Sequence, residues 1–320
     1  MRNLQRSAER LQCHDGLGAM RCVMAGLLLA LTGAQQQQPR DTKVFSITSF
    51  GAVSGDIANH AANTAAFQHA FAAAAKAGPG ASVSVPSGDF FSGPIRFTAS
   101  DQTLAVEAGG RIVAAYPAYG NMTYKGFKTS WPVGPKQPEG AEWNDQYMPF
   151  IYAKNLTKVS LIGPGIVDGG GEVWWDLKNK NGKGGKFPKG MPQRPYNVRF
   201  DGCTDVLVQD LQMHQPPFWN LVPTWCEDVR VYNVSIIAVP GASGTQAYNT
   251  DGIEPMFTND VHISGCFIQN GDDSVTVKSG SHNVLIEDCI FQDGHGCNIG
   301  SIQGEGVSNV TYLRPSDWLV

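Results

Sequence analysis

Charge is scarce in this chain. Asp, Glu, Lys and Arg make up 16% of its 320 residues, and the formal net charge is −4. No basic surface is encoded, so nucleic acid is not an expected partner. Long hydrophobic runs are missing too: the main one, Cys22 to Leu31, is about ten residues, too short to span a bilayer. Cysteines are few and, beyond residue 34, odd in number: Cys203, Cys226, Cys266, Cys289 and Cys297. A full set of internal disulfides is therefore excluded, and at least one thiol is free or paired between molecules. What is present is a 42% hydrophobic content and 37 glycines, enough for a large core with many tight turns.

The N-terminus reads as an export signal. Arg2, Arg6, Arg10 and Arg21 precede the apolar run, and Thr32-Gly33-Ala34 resembles a cleavage site; Met20 is an alternative start, and a buried core helix the alternative structure. The expected layout is a signal peptide over 1–34, a linker over 35–43 with its glutamine tract, and one domain over 44–320. The net charge beyond residue 34 is about −6 on the same formal count. Localisation is expected to be secreted, extracellular or cell wall, with no membrane contact after signal removal, as a monomer. Sequons at Asn121, Asn155, Asn233 and Asn309 are compatible with glycosylation.

Several short segments superimpose: Lys158-Val159, Asp205-Val206, Asp228-Val229, Asp260-Val261 and Asn283-Val284, each opening an alternating run, with Asn309-Val310 beginning another. Val206 to Val229 and Val261 to Val284 are each 23 residues, and the longer step between Val229 and Val261 implies an inserted loop. Alternation sends Val206/Val208, Val229/Val231, Val261/Ile263 and Val284/Ile286 to one face. One such coil cannot bury that face alone, but stacked coils can. The expected fold is all-β, a single-stranded right-handed parallel β-helix; a β-sandwich is the alternative, but it demands no repeat near 23. One helix is expected, over Ala65–Lys76, capped by Asn63 or Thr64, stopped by Gly78, and covering the open end of the stack. Residues 116–150 and Lys178–Pro195 read as excursions, the second as a solvated loop.

The chemistry rests on a second spacing. Asn249-Thr250-Asp251-Gly252, Gly271-Asp272-Asp273 and Gly294-His295-Gly296 place Asp251, Asp273 and His295 at successive intervals of 22 residues. Adjacent coils lie ~4.8 Å apart, so these side chains stack on neighbouring rungs with Asp272 alongside. In this register Ile253, Val275 and Cys297 form an inner column, and Gly252 and Gly296 let the backbone bend so that the polar column leaves the interior. Close carboxylates cannot all ionise cheaply, so at least one pKa should rise. That arrangement suits an acid and a base for glycoside hydrolysis. A calcium site and solvated turn aspartates are the alternatives, and the imidazole disfavours the first. Nearby, Trp219 or Phe218 could stack on a sugar and His214 could contact a hydroxyl, with core packing the alternative for both rings. Lys278 could face the cleft or sit in a turn.

These residues resemble the polygalacturonase family, glycoside hydrolase family 28: Asn-Thr-Asp-Gly, Gly-Asp-Asp and Gly-His-Gly stand in order, followed by Gly300-Ser301. Phe50-Gly51-Ala52, Val85-Pro86-Ser87-Gly88, Gly163-Pro164-Gly165 and Trp174-Trp175 extend the likeness. The resemblance implies a secreted hydrolase that cleaves α-1,4-galacturonosidic bonds in pectin with inversion and needs no cofactor or metal. It implies Asp272 as general acid, Asp251 and Asp273 as the carboxylates activating water, His295 as support for the acid's protonation, and Asn249 as a substrate or orienting contact. Inverting carboxyls usually stand ~6.5–9.5 Å apart, so the acid-to-base distance should run diagonally. The family's Arg-Ile-Lys motif, which binds the substrate carboxylate, is absent, and the chain is expected to lack its last coils. A truncated, inactive or carbohydrate-binding relative and a pectate-lyase-like enzyme using calcium are the competing expectations.

Overall fold

The computed structural model describes residues 43–116, 118–119, 128–134, 146–180, 192–240, 246–314 and 316–317. The expected signal peptide, most of the expected 35–43 linker, Asn121 and parts of both excursions lie outside the described residues.

Three parallel sheets run the length of the domain. The first has nine strands, from Val44–Ser46 and Ser82–Val85 through Thr204–Gln209, Glu227–Tyr232, Asn259–Ser264 and His282–Glu287 to Ser308–Leu313. The second has eight, from Gly88–Ser92 to Ser316–Asp317. The third comprises Ile95–Arg96, Ile151–Lys154, Val198–Asp201 and Leu221–Thr224. Bridges from Leu221 to Ile253 and from Ile253 to Val275 carry it on to Val275–Val277 and Cys297–Ile299. The chain visits the sheets in rotation, which makes a parallel β-helix, right-handed as parallel crossovers require.

The expected columns form. Val83, Leu104, Leu161, Val208, Val231, Ile263 and Ile286 are successive register partners, and so are Val159, Val206, Val229, Val261 and Val284. All are 2% exposed or less, so each contributes roughly 1.5–3 kcal/mol of apolar burial. The polar residue opening each run has a backbone reason: Lys158, Asp205, Asp228, Asp260, Asn283 and Asn309 all have φ between 52° and 58°. Asn and Asp tolerate this left-handed region better than other L-residues. Their side chains also stack: Asn283 Nδ2 donates to Asp260 Oδ1 at 2.9 Å, and Asn309 Nδ2 to Asn283 Oδ1 at 2.8 Å.

The covering helix, α1, spans His60–Ala77 and starts earlier than expected. Asn63 is not its cap. It is fully buried inside the helix, where its side chain accepts from Val53 N at 2.7 Å and donates to Val53 O and Phe91 O. The residue that resembled a cap thus pins the helix to the first coils. Phe67 and Phe71 share the buried face as expected, and Phe71 meets Phe97 at 5.0 Å between ring centroids. Cys203, Cys226, Cys266 and Cys289 are buried free thiols.

Loop length separates the three corners of the coil. First-to-second-sheet turns are short, as from Gln209 to Gln212 and from Tyr232 to Ser235. The long excursions all leave from the corner between the second and third sheets: from Ala114 to Ile151, from Asp168 to Val198, and from Ile237 towards Ile253. Asn249, Asp251, Asp272, Asp273 and His295 occupy this same corner.

Candidate active site

The rungs bring the acids into one cluster. Gly252 N donates to Asp273 O at 2.9 Å, and Ser274 N to Gly296 O at 2.8 Å, fixing the three motifs on successive coils. Gly252 serves by its size, since a Cβ there would lie 2.3 Å from Ser274 O. Gly296 serves by conformation, with φ at +77° and open space around it. Asn270 buttresses the turn from within, donating to Thr250 O at 3.0 Å and Asp273 O at 2.7 Å.

Asp272 and Asp273 are each about a fifth exposed in their side chains, at 22% and 21%. His295 Nδ1 stands 3.4 Å from Asp272 Oδ1 and 3.3 Å from Asp273 Oδ1, with the ring largely in solvent. Asp272 Oδ1 accepts from Asp273 N at 3.0 Å; its Oδ2 accepts from Asn249 N at 3.2 Å and Asn249 Nδ2 at 3.3 Å. Asp273 accepts from Thr276 Oγ1 at 3.0 Å and Asn298 Nδ2 at 2.8 Å. The ligating atoms of Asp272, Asp273 and His295 lie within 4.8 Å of one another, yet a donor set with an exposed imidazole poorly suits a hard cation.

Asp251 differs from its neighbours in being only 5% exposed. Burial pushes its carboxyl up to about 6; the charge of Asp272 adds to the rise, while a hydrogen bond with Glu254 and the charge of Lys278 oppose it. One carboxyl of the cluster is thus poised apart from the ordinary range, which the crowding of acids led us to expect. The sign for stability follows. Between pH ~4 and ~6 the unfolded state releases this proton first, so stability falls as pH rises through that window, by about 2–3 kcal/mol in all. Asp251→Asn should flatten this slope, and denaturant unfolding at pH 4, 5, 6 and 7 measures it.

Lys178 and Arg194, expected in a solvated loop, are instead buried beside the acids, a contact that the sequence reading missed. Lys178 lies on helix α2, Glu172–Lys180, whose Trp174 and Trp175 are fully buried, with Trp175 Nε1 donating to Pro216 O at 3.0 Å. From there Lys178 Nζ donates to Asn249 Oδ1. Arg194, 1% exposed, donates to the same oxygen at 2.8 Å and to Pro217 O and Tyr248 O at 2.9 Å each. Two cations therefore orient Asn249, whose amide in turn holds Asp272. Burial lowers the Lys178 ammonium to about 8, with Arg194 acting in the same direction and Asp272 and Asp251 opposing. Lys178→Met should reduce turnover about tenfold and shift the acid limb of any pH profile upward, because ionised Asp251 loses a favourable charge; steady-state kinetics from pH 4 to 8 checks both.

The remaining candidates separate. Lys278 is 8% exposed, 3.5 Å from Glu254 Oε2, and its Nζ lies 4.7 Å from the centroid of the Trp219 ring. Trp219 is itself buried, stacked on Phe218 at 5.1 Å. His214 sits on the second sheet as register partner of Asp168, where burial lowers its imidazole and the charges it feels are those of Asp168 and Arg111. The described contacts do not join it to the acids. Glu254, Thr276 and Asn298 also belong to the site and carried a legible signal: each lies three residues after Asp251, Asp273 or His295 and repeats their interval of 22.

Comparison with known proteins agrees with this geometry. The sequence model of Glycosyl hydrolases family 28 matches residues 77–316. A polygalacturonase of Cryptomeria japonica is 32% identical over 85% of this chain and 47% of its own length. A probable polygalacturonase of Vitis vinifera is 31% identical over 73% of this chain and 44% of its own. The chain thus spans about half the length of these curated relatives. Among solved structures, the exopolygalacturonase of Thermotoga maritima superposes with a TM-score of 0.67 at 26% identity, covering 90% of this chain and 69% of that one. The polygalacturonase of Erwinia carotovora shares the fold with a TM-score of 0.63 at 24% identity, over 88% of this chain and 72% of that one. Coil register, acid cluster and family match converge, and the chain belongs to glycosyl hydrolase family 28.

Proposed function

We propose that this chain hydrolyses α-1,4-galacturonosidic bonds in pectic polysaccharide with inversion. The observation that carries the reading is the joint setting of a buried Asp251 and a partly exposed Asp272–Asp273–His295 cluster at one corner of the coil. Asp272 is oriented by Asn249 and stands near an imidazole, which suits a general acid whose proton goes to the leaving oxygen. Asp251 and Asp273 are the carboxylates that activate water on the opposite face of the sugar. Asp251 must be ionised for this role, so kcat/KM should fall below about pH 6. The buried cations Lys178, Arg194 and Lys278 offset the negative potential of the acid cluster, and an anionic polymer needs that offset to approach.

Secretion to the cell wall and glycosylation belong to the same reading and are supported by the N-terminal pattern and the sequons. No helix among the described residues is long and apolar enough to cross a membrane. The deciding experiment incubates the purified chain with polygalacturonate and measures reducing ends, with proton NMR following the configuration of the first product. Release of the inverted anomer supports the proposal. Binding without release supports a carbohydrate-binding role, and an unsaturated product abolished by a chelator supports a lyase.

A further inference from the structure

Glu254 takes no part in the chemistry outlined above, yet it is fully buried at the centre of the site. It lies on the outward face of the third sheet, in the same column as Thr276 and Asn298, which both bond Asp273. Its carboxyl lies against that of Asp251 and opposes the rise of that group. No amide or hydroxyl donor among the described residues reaches Asp251 Oδ1, which is out of solvent. On its other side Glu254 Oε2 is 3.5 Å from Lys278 Nζ, and that ammonium is held over the Trp219 ring at 4.7 Å.

Two carboxyls in hydrogen-bonding contact out of water require a proton between them, because two anions there repel and neither is hydrated. One ammonium beside the pair compensates one negative charge. The neutral set is therefore one protonated carboxyl, one carboxylate and Lys278. We propose that Glu254 is a positioning residue that keeps this proton and donates it to Asp251, leaving Asp251 ionised and aimed at water in a dry pocket, with Lys278 supplying the countercharge. The inference rests on Asp251 activating water in the proposed hydrolysis. The other charged groups felt by Asp251 are Asp272 and Lys178. The register neighbours of Glu254, Val222 and Thr276, are uncharged.

The test compares Glu254→Gln with Glu254→Leu in the full chain. The amide keeps a permanent donor, so E254Q should retain kcat within about threefold, with its acid limb at or below that of the wild type. E254L removes the donor, so kcat should fall about a hundredfold at little change in KM, and the acid limb should move up by about one pH unit. A readout independent of turnover is the pH-difference infrared spectrum. Above about pH 7, where Asp251 is ionised, E254Q should show one protonated carboxyl fewer than the wild type. Matching pH profiles for the two variants, or an equal number of protonated carboxyls in E254Q and the wild type, would overturn the proposal. If the wild type released no sugar, the hydrolase reading would fail by itself, and the infrared comparison would still decide whether Glu254 holds the proton.

Discussion

Asp272→Asn should yield a folded protein whose kcat on polygalacturonate is lower by roughly a thousandfold, with KM changed little. The amide is nearly the same shape, so Asn249 can still reach its oxygen and the corner stays built. Lost is the proton for the leaving sugar. Of the three aspartates, Asp272 is the one gripped by Asn249 through both its backbone and side-chain nitrogens. A group positioned that firmly, and still about a fifth open to solvent, is suited to meeting a glycosidic oxygen. Unfolding midpoints for wild type and variant should agree closely, which separates chemistry from stability. A variant as active as the wild type would remove Asp272 from the acid's role and with it the assignment of the other two.

Gly252→Ala should be severely damaging for so small a substitution. The new methyl would meet Ser274 O at 2.3 Å and Ile268 Cγ2 at 2.9 Å. The carbonyl cannot retreat freely, because it accepts from Ile253 N at 3.1 Å and so sets the rung spacing. The strain should cost ~3 kcal/mol or more and displace Asp251, so stability and activity should fall together. Gly296→Ala is the control. No heavy atom lies within 4 Å of its added methyl, but φ is +77°, so the expected loss is only about 1–2 kcal/mol of backbone strain. Denaturant midpoints rank the two, and an equal loss in both would show that rung spacing is softer than argued.

The contrast between these glycines shows what was legible beforehand and what was not. Interval and alternation sufficed for the columns of Val206, Val229, Val261 and Val284, because a coil repeats its own hydrogen bonding and any break of period is visible. The same reasoning set Ile253, Val275 and Cys297 in register and put the acids on one corner. It assigned a conformational role to both glycines, whereas Gly252 is required for space, which only neighbouring rungs reveal. Lys178 and Arg194 were illegible for a related reason. They sit in an excursion with no period, and they reach Asn249 by a return of the chain that local sequence does not encode. Asn63 misled because its side chain suits a helix start equally well as it suits tethering two strands. Trp219 and Phe218 carried the same residue types for packing as for sugar stacking, and burial alone distinguishes them.

The corners described above have an engineering consequence. Where successive strands are joined by two or three residues, any insertion must disrupt the stack on both sides. Where the second sheet hands over to the third, tens of residues leave and return without disturbing the partners of Val229 and Val261. Length can therefore be added to or removed from that rim independently of the stacked sheets. Grafting a rim segment from one homologue to another should transplant the shape of the groove wall while the acids beneath keep their seats, so substrate preference can drift far faster in such a scaffold than the reaction it performs.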